Sequence, residues 1–157
     1  WIAIRPLKRI TPADYARSFV AIAVGGVFTL ALVTAAVLGV EPWFAPRYVV
    51  PLAGMIFAGS MTAVSLAADR LLLEKNRDTP GEEARHAALN TAMIPIINSL
   101  FAVGLVALPG MMTGQVLSGV SPLVAAKYQI VVMTMLFGAT GISAAIYITL
   151  EQRSLDS

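Results

Sequence analysis

The 157 residues contain no cysteine. Disulfides and thiolate metal sites are thereby excluded, without any compartment being implied. Histidine occurs once, at His86, so neither a histidine metal cluster nor a nucleophile–base pair has material to draw on. Charge is scarce too: Asp, Glu, Lys and Arg make up 13% of the chain, against about 25% in an ordinary globular protein. Between Arg85 and Lys127 the one titratable residue is His86. No glycine loop with phosphate-binding spacing occurs, and a formal charge of +2 suggests no nucleic-acid partner. These absences leave catalysis without its usual groups.

What remains is 57% hydrophobic. Uncharged windows run over 18–40, 48–68, 87–108 and 128–150. Each is about 21 to 23 residues long, roughly 31 to 35 Å as a helix, enough to cross a hydrocarbon layer of about 30 Å. None alternates with the period of a barrel strand, so the expected fold is all-α: a polytopic transmembrane bundle of four spans. The apolar run after 87 is too long for one crossing, and Leu108-Pro-Gly-Met-Met-Thr-Gly-Gln115 interrupts it. Broken backbone at membrane depth lines protein or a water-filled cavity, so a short bent or re-entrant element is expected there. The chain starts at Trp1 without methionine or a signal-peptide pattern, and reads as the C-terminal portion of something longer.

Three helix starts repeat one chemistry. Thr11-Pro12, Thr79-Pro80 and Ser121-Pro122 each place a hydroxyl before a proline, predicting a capped helix with proline at its first position. Asp14 and Glu82 then fall in the first turn, where a carboxylate suits the helix dipole. Lys and Arg set the orientation. Arg5, Lys8, Arg9 and Arg17 precede the first span, and Arg70, Lys75, Arg77 and Arg85 lie between the second and third. Arg47 and Lys127 stand alone in the other loops, and Arg153 follows the last span. Both ends of the chain are therefore expected in the cytoplasm, with 69–86 as a cytoplasmic segment.

Within the third span, Thr91, Pro95 and Asn98 fall on one helical stripe, and Pro95 leaves the Thr91 carbonyl without its donor. With Ser99 they read either as a kinked, cargo-facing path or as interhelical hydrogen bonds holding the bundle. Gln115 and Gln129 extend the polar set beyond the break, and Gly110 gives the path a second bend after Pro95. Met111 and Met112 are soft donors that suit a transition metal or, equally, fill irregular packing. Lys127 reads as a snorkelling cation or as a contact for an anion. Small residues repeat every four at Ala21, Gly25 and Thr29, at Gly54, Ala58 and Thr62, and at Gly141, Ala145 and Thr149, predicting close helix packing. The capped turn with Glu74, Thr79, Pro80, Glu82, Glu83 and Arg85 is where a cytoplasmic partner could push on the bundle.

Several passages resemble one family, the FetB-like ABC permeases, related to the membrane subunits of plant aluminium-tolerance transporters. They are Val50-Pro-Leu-Ala-Gly-Met-Ile56, Ile94-Pro-Ile-Ile-Asn-Ser99, Val103-Gly-Leu-Val-Ala-Leu-Pro-Gly-Met-Met-Thr-Gly114 and Ser121-Pro-Leu-Val-Ala-Ala-Lys-Tyr-Gln-Ile130. The resemblance implies a permease subunit of an ABC exporter in a bacterial inner membrane, moving iron or another metal, or a nucleotide sugar. It also implies a homodimer of permeases joined to a cytoplasmic ABC ATPase that binds ATP and Mg, with no cofactor in this chain. Two departures stand out. The segment before Thr79-Pro80 is shorter than the family's, and Ala58-Gly59 replaces a Gly-Asn found in some relatives, so no polar ligand is assigned there. Two other classes stay open: an ATP-independent channel or secondary transporter, disfavoured because no charged residue lies within a span, and a purely structural membrane subunit.

Overall fold

The computed structural model describes residues 12–38, 42, 44–105 and 109–155. Thr11, Arg5, Lys8, Arg9, the window ends at Val40 and Leu108, and the Arg153 side chain lie outside the described residues. The described chain is helical: α1 (Pro12–Leu32), α2 (Pro46–Lys75), α3 (Gly81–Leu105), α4 (Gly110–Leu117) and α5 (Pro122–Leu155). α1 continues into a π-helical stretch, Val33–Val37, closed by the Leu38 N–H donating to the Val33 carbonyl at 2.9 Å. Helices α1 with its extension, α2, α3 and α5 are long and apolar enough to cross a membrane.

α2 and α5 pack together, and α1 and α3 each pack against both of them. The four form a rhombus with α1 and α3 at opposite corners, and α4 rests on α5. Two apolar clusters fill it. One, around Ala21, Val64, Ala67, Ala88, Ala144 and Tyr147, occupies the half carrying the charged helix ends. The other, around Val33, Leu52, Ile56, Val132 and Met135, occupies the opposite half and takes in Met111. Alanine dominates the first because lipid is as apolar as leucine, so van der Waals approach, not transfer from water, holds such helices together.

Between the clusters lies a polar node. Ser143 Oγ donates to Ser60 Oγ at 3.0 Å, and Ser60 Oγ donates to the Ala139 carbonyl at 3.5 Å. Both serines are fully buried. Gly25 of α1 lies against Ser143, so α1, α2 and α5 meet there.

The proline starts divide. Ser121 caps α5 as expected: its carbonyl accepts from Ala125 N–H at 3.0 Å and its Oγ from Val124 N–H at 3.4 Å. Ser121→Ala should cost about 0.5 to 1 kcal/mol, read as a small drop in Tm in detergent; an unchanged Tm would mean the long Oγ contact contributes nothing. Thr79 differs from expectation. Its hydroxyl donates to Glu74 Oε2 at 2.8 Å instead of capping α3, and the Pro80 carbonyl accepts the first helical bond, from Ala84 N–H at 3.0 Å. Pro80, one residue later, therefore stands where Thr79 was expected to cap, and the charge-assisted bond to the carboxylate holds the Thr79 side chain toward α2.

The small-residue stripes divide as well. Ala21, Gly25 and Thr29 are buried in the bundle, whereas Gly54, Ala58 and Thr62 are exposed, as are Ala145 and Thr149. The first stripe serves packing along its whole length, and of the third only Gly141 does, half-buried against Met93 of α3.

Candidate functional site

Midway along the bundle a groove of about 160 Å³ opens between α2, α3 and α5. Met55, Gly59 and Thr62 line it from α2, Pro95 and Ser99 from α3, and Thr140 from α5. Glycine at 59 makes the room: a Cβ there would come within 3.4 Å of Thr140 Oγ1. The hydroxyl protons are committed along their own helices. Thr62 Oγ1 donates to the Ala58 carbonyl at 3.0 Å and Ser99 Oγ to the Pro95 carbonyl at 2.9 Å. What these two oxygens retain is lone pairs, so they present acceptors. Pro95 has no N–H, which leaves the Thr91 carbonyl without an intrahelical donor. The Thr91 hydroxyl itself donates to the Ala87 carbonyl at 2.8 Å.

Of the residues singled out in the sequence, Pro95 and Ser99 meet in this groove, while Thr91 is half-buried beside it and Asn98 is exposed. Gly110 opens α4 with open space around it. Met111 packs into the outer apolar cluster and Met112 is half-buried. Gln115 on α4 and Gln129 on α5 each hold a buried side-chain oxygen with no donor, and Gln129 is only 6% exposed. Lys127 is exposed. Sequence reasoning missed Met55, Thr62 and Thr140 as lining. For the two threonines the available signal was a hydroxyl within an otherwise apolar window; for Met55 there was none.

At the charged end all four spans converge on a second cavity, about 270 Å³, whose rim includes Asp14, Lys75, Thr79, Arg85, Glu151 and Gln152. Two ion-pair groups brace it. Arg17 Nη1 reaches Glu151 Oε2 at 2.7 Å and Asp14 Oδ1 at 3.3 Å, tying α1 to α5. Glu74, with 6% of its side chain exposed, receives Arg70 at 2.6 Å, Arg77 at 3.7 Å and the Thr79 hydroxyl. The turn that follows bends through Asp78, whose φ of 54° is left-handed, a conformation that aspartate tolerates better than most residues. Asn76, Arg77, Asp78, Pro80, Glu82, Glu83 and Arg85 are exposed around it. The sequence identified this segment by its capped turn but not the Arg17–Glu151 tie, because the two residues lie at opposite ends of the chain.

A family model described as "Uncharacterised protein family (UPF0014)" matches residues 1–155. The chain belongs to the UPF0014 family. Among its UPF0014 relatives, "UPF0014 membrane protein slr1647" of Synechocystis is 38% identical over 73% of this chain and 51% of its own length. "Probable iron export permease protein FetB" of Escherichia coli is 35% identical over 98% of the chain and 63% of its own length. "UPF0014 membrane protein STAR2" of rice is 34% identical over 92% of the chain and 59% of its own length. The chain thus spans between half and two thirds of the length of these relatives. No solved structure matches it. Four apolar helices together with such relatives make this UPF0014 chain an integral membrane protein.

Proposed function

We propose that this chain is the cargo-handling part of a permease that exports a metal cation, iron or another, using ATP hydrolysed on a separate cytoplasmic ATPase subunit. Two permeases and two ATPases form the transporter in a bacterial inner membrane, and the charged end of the bundle faces the cytoplasm. The groove between α2, α3 and α5 is the observation that carries this reading. It offers neutral oxygen acceptors and no basic side chain among its lining residues. Oxygen acceptors suit a hard cation or its water shell. A diphosphate-bearing sugar would require donors and positive charge instead. Among the described residues no three His, Asp or Glu side chains gather, so the cation would be passed along neutral groups and not held tightly. The relative named for iron export supports the cargo class.

In this mechanism the partner ATPases press on the exposed turn from Asn76 to Arg85, and α3, hinged where Pro95 breaks its hydrogen-bond ladder, swings against α2 and α5. Gln115 and Gln129 offer their unpaired oxygens where the path leaves the bundle near α4.

The test uses inside-out vesicles holding the full-length permease with its ATPase. ATP-dependent uptake of ferrous iron is expected, and Thr62→Val with Ser99→Ala should lower it at least about tenfold, the loss of roughly one charged hydrogen bond at the barrier. Both positions lie outside the buried core, so Tm should hold. Uptake of a nucleotide sugar in place of metal, or metal flux without ATP, would overturn the reading.

A further inference from the structure

The cavity at the charged end and the groove midway along the bundle share the walls of α2, α3 and α5. On each helix they are joined by a row of residues four apart, which lie on one helical face. The row is Ala63, Ala67 and Leu71 on α2, Ala92, Ala88 and Ala84 on α3, and Thr140, Ala144 and Ile148 on α5. The first residue of every row lines the groove, and the last lines the cavity. The middle residue is alanine each time, and Ala67, Ala88 and Ala144 are fully buried in one apolar cluster. Two hollows on one line are thus separated by a single layer of methyl groups, within about 12 Å of helix. We propose that the cavity is the cytoplasmic mouth of the cargo path. Ala67, Ala88 and Ala144 are its closed inner gate, and the arm of α3 from Gly81 to Ile94 is the part that moves.

An apolar constriction too tight for water stops a cation, which cannot shed its shell into hydrocarbon. Alanine suits such a barrier for a second reason. Its methyl group has no rotamer to change, so no single side chain can swing aside and let cargo leak. The layer opens only when helix backbones part. α2 and α5 are the fixed side, tied at this level by the hydrogen bond between Ser143 and Ser60. α3 is the side that can leave. The deepest side chains of its inner arm are Ala84, Ala88 and Ala92, three methyl groups that offer little dispersion contact to break. Pro95 lies at the groove, two turns beyond Ala88, and interrupts the hydrogen-bond ladder, so the arm can pivot there as one piece. Its far end carries the exposed Glu82, Glu83 and Arg85. A push on that end moves the α3 row away from the other two.

The gate rests on the ATP-driven permease proposed above. Its test is cysteine labelling in inside-out vesicles holding the full-length permease with its ATPase, and these 157 residues contribute no background cysteine. A charged, membrane-impermeant methanethiosulfonate should modify Leu71→Cys in the cavity wall without ATP. It should modify Ala88→Cys at least about tenfold more slowly, as expected of a site reached only by opening, and ATP should narrow that difference. Equal rates without ATP, or no acceleration of Ala88→Cys with it, would overturn the gate. The pair Ala67→Cys with Ala88→Cys joins the fixed side to the moving one. Its oxidation should stop ATP-dependent uptake of ferrous iron, and a reductant should restore it. A pair that does not cross-link, or uptake that survives a completed cross-link, would overturn the gate while the ATP-driven reading stands. Should the reduced pair fail to fold, the labelling of Ala88→Cys alone decides. If the parent transporter shows no ATP-dependent uptake, that reading falls, and the contrast between Leu71→Cys and Ala88→Cys without ATP still decides whether the alanine layer is a barrier.

Discussion

Gly25→Leu is expected to stop the four spans from assembling into one bundle. A Cβ placed on Gly25 would run into Ser143 Oγ and come within 3.0 Å of the Ser143 backbone nitrogen and 3.1 Å of its Cα. The hydroxyl can rotate, but the backbone atoms cannot, so α1 must move off α5. Moving it removes the contact at the level where α1, α2 and α5 meet, and exposes the Ser60–Ser143 hydrogen bond. Gly25→Ala should already cost about 1 to 3 kcal/mol, and leucine more. Two neighbours provide controls. A Cβ on Gly26 would meet the ring of Phe57, whose far end can swing away, although Ile56 Cγ2 lies at 3.3 Å, so alanine there should cost less. Gly54 has nothing within 4 Å, and Gly54→Ala should leave stability within about 0.5 kcal/mol or raise it. Thermal unfolding and monodispersity in detergent check the series. A Gly25→Ala protein as stable as Gly54→Ala would show that the α1–α5 approach is looser than described.

The same glycines show what could be read in advance. Ala21, Gly25 and Thr29 and Gly54, Ala58 and Thr62 look alike in sequence, yet the structure buries one stripe and exposes the other. In water, polarity separates a core face from a solvent face. In a bilayer both faces are apolar, so period alone identifies a stripe without saying what covers it. Span existence was legible because it depends on length and composition, and the helix start at Pro122 because proline and its cap act locally. The groove was half legible. Pro95 and Ser99 stand out within one helix, but Thr62 and Thr140 reach it only through packing among α2, α3 and α5. The buried oxygens of Gln115 and Gln129 likewise needed the position of α4 on α5 before their missing donors could be recognised.

At the charged end, Glu74→Ala should separate stability from signalling. Glu74 is a buried carboxylate that gathers Arg70, Arg77 and Thr79, and so ties the end of α2 to the turn leading into α3. Alanine would strand the Thr79 hydroxyl and leave Arg70, whose Nε already lacks a partner, without its closest acceptor. Arg70 is 35% and Arg77 65% exposed, so water recovers part of the loss. The expected cost is about 2 kcal/mol, set by the charge-assisted bonds broken and less than for a fully buried pair. Glu74→Gln should fall between, because the amide oxygen still accepts from Thr79 while the charge is gone. Glu82→Lys with Glu83→Lys should behave oppositely. Both carboxylates are exposed in the first turn of α3, so Tm should fall by no more than a lost dipole interaction of about 0.3 to 1 kcal/mol. If the partner ATPase presses here, that reversal of charge should uncouple ATP hydrolysis from transport while the folded permease persists. ATPase binding and transport left unchanged in the double variant would remove this turn from the coupling path, whereas a large fall in Tm would mean that it braces the bundle as Glu74 does.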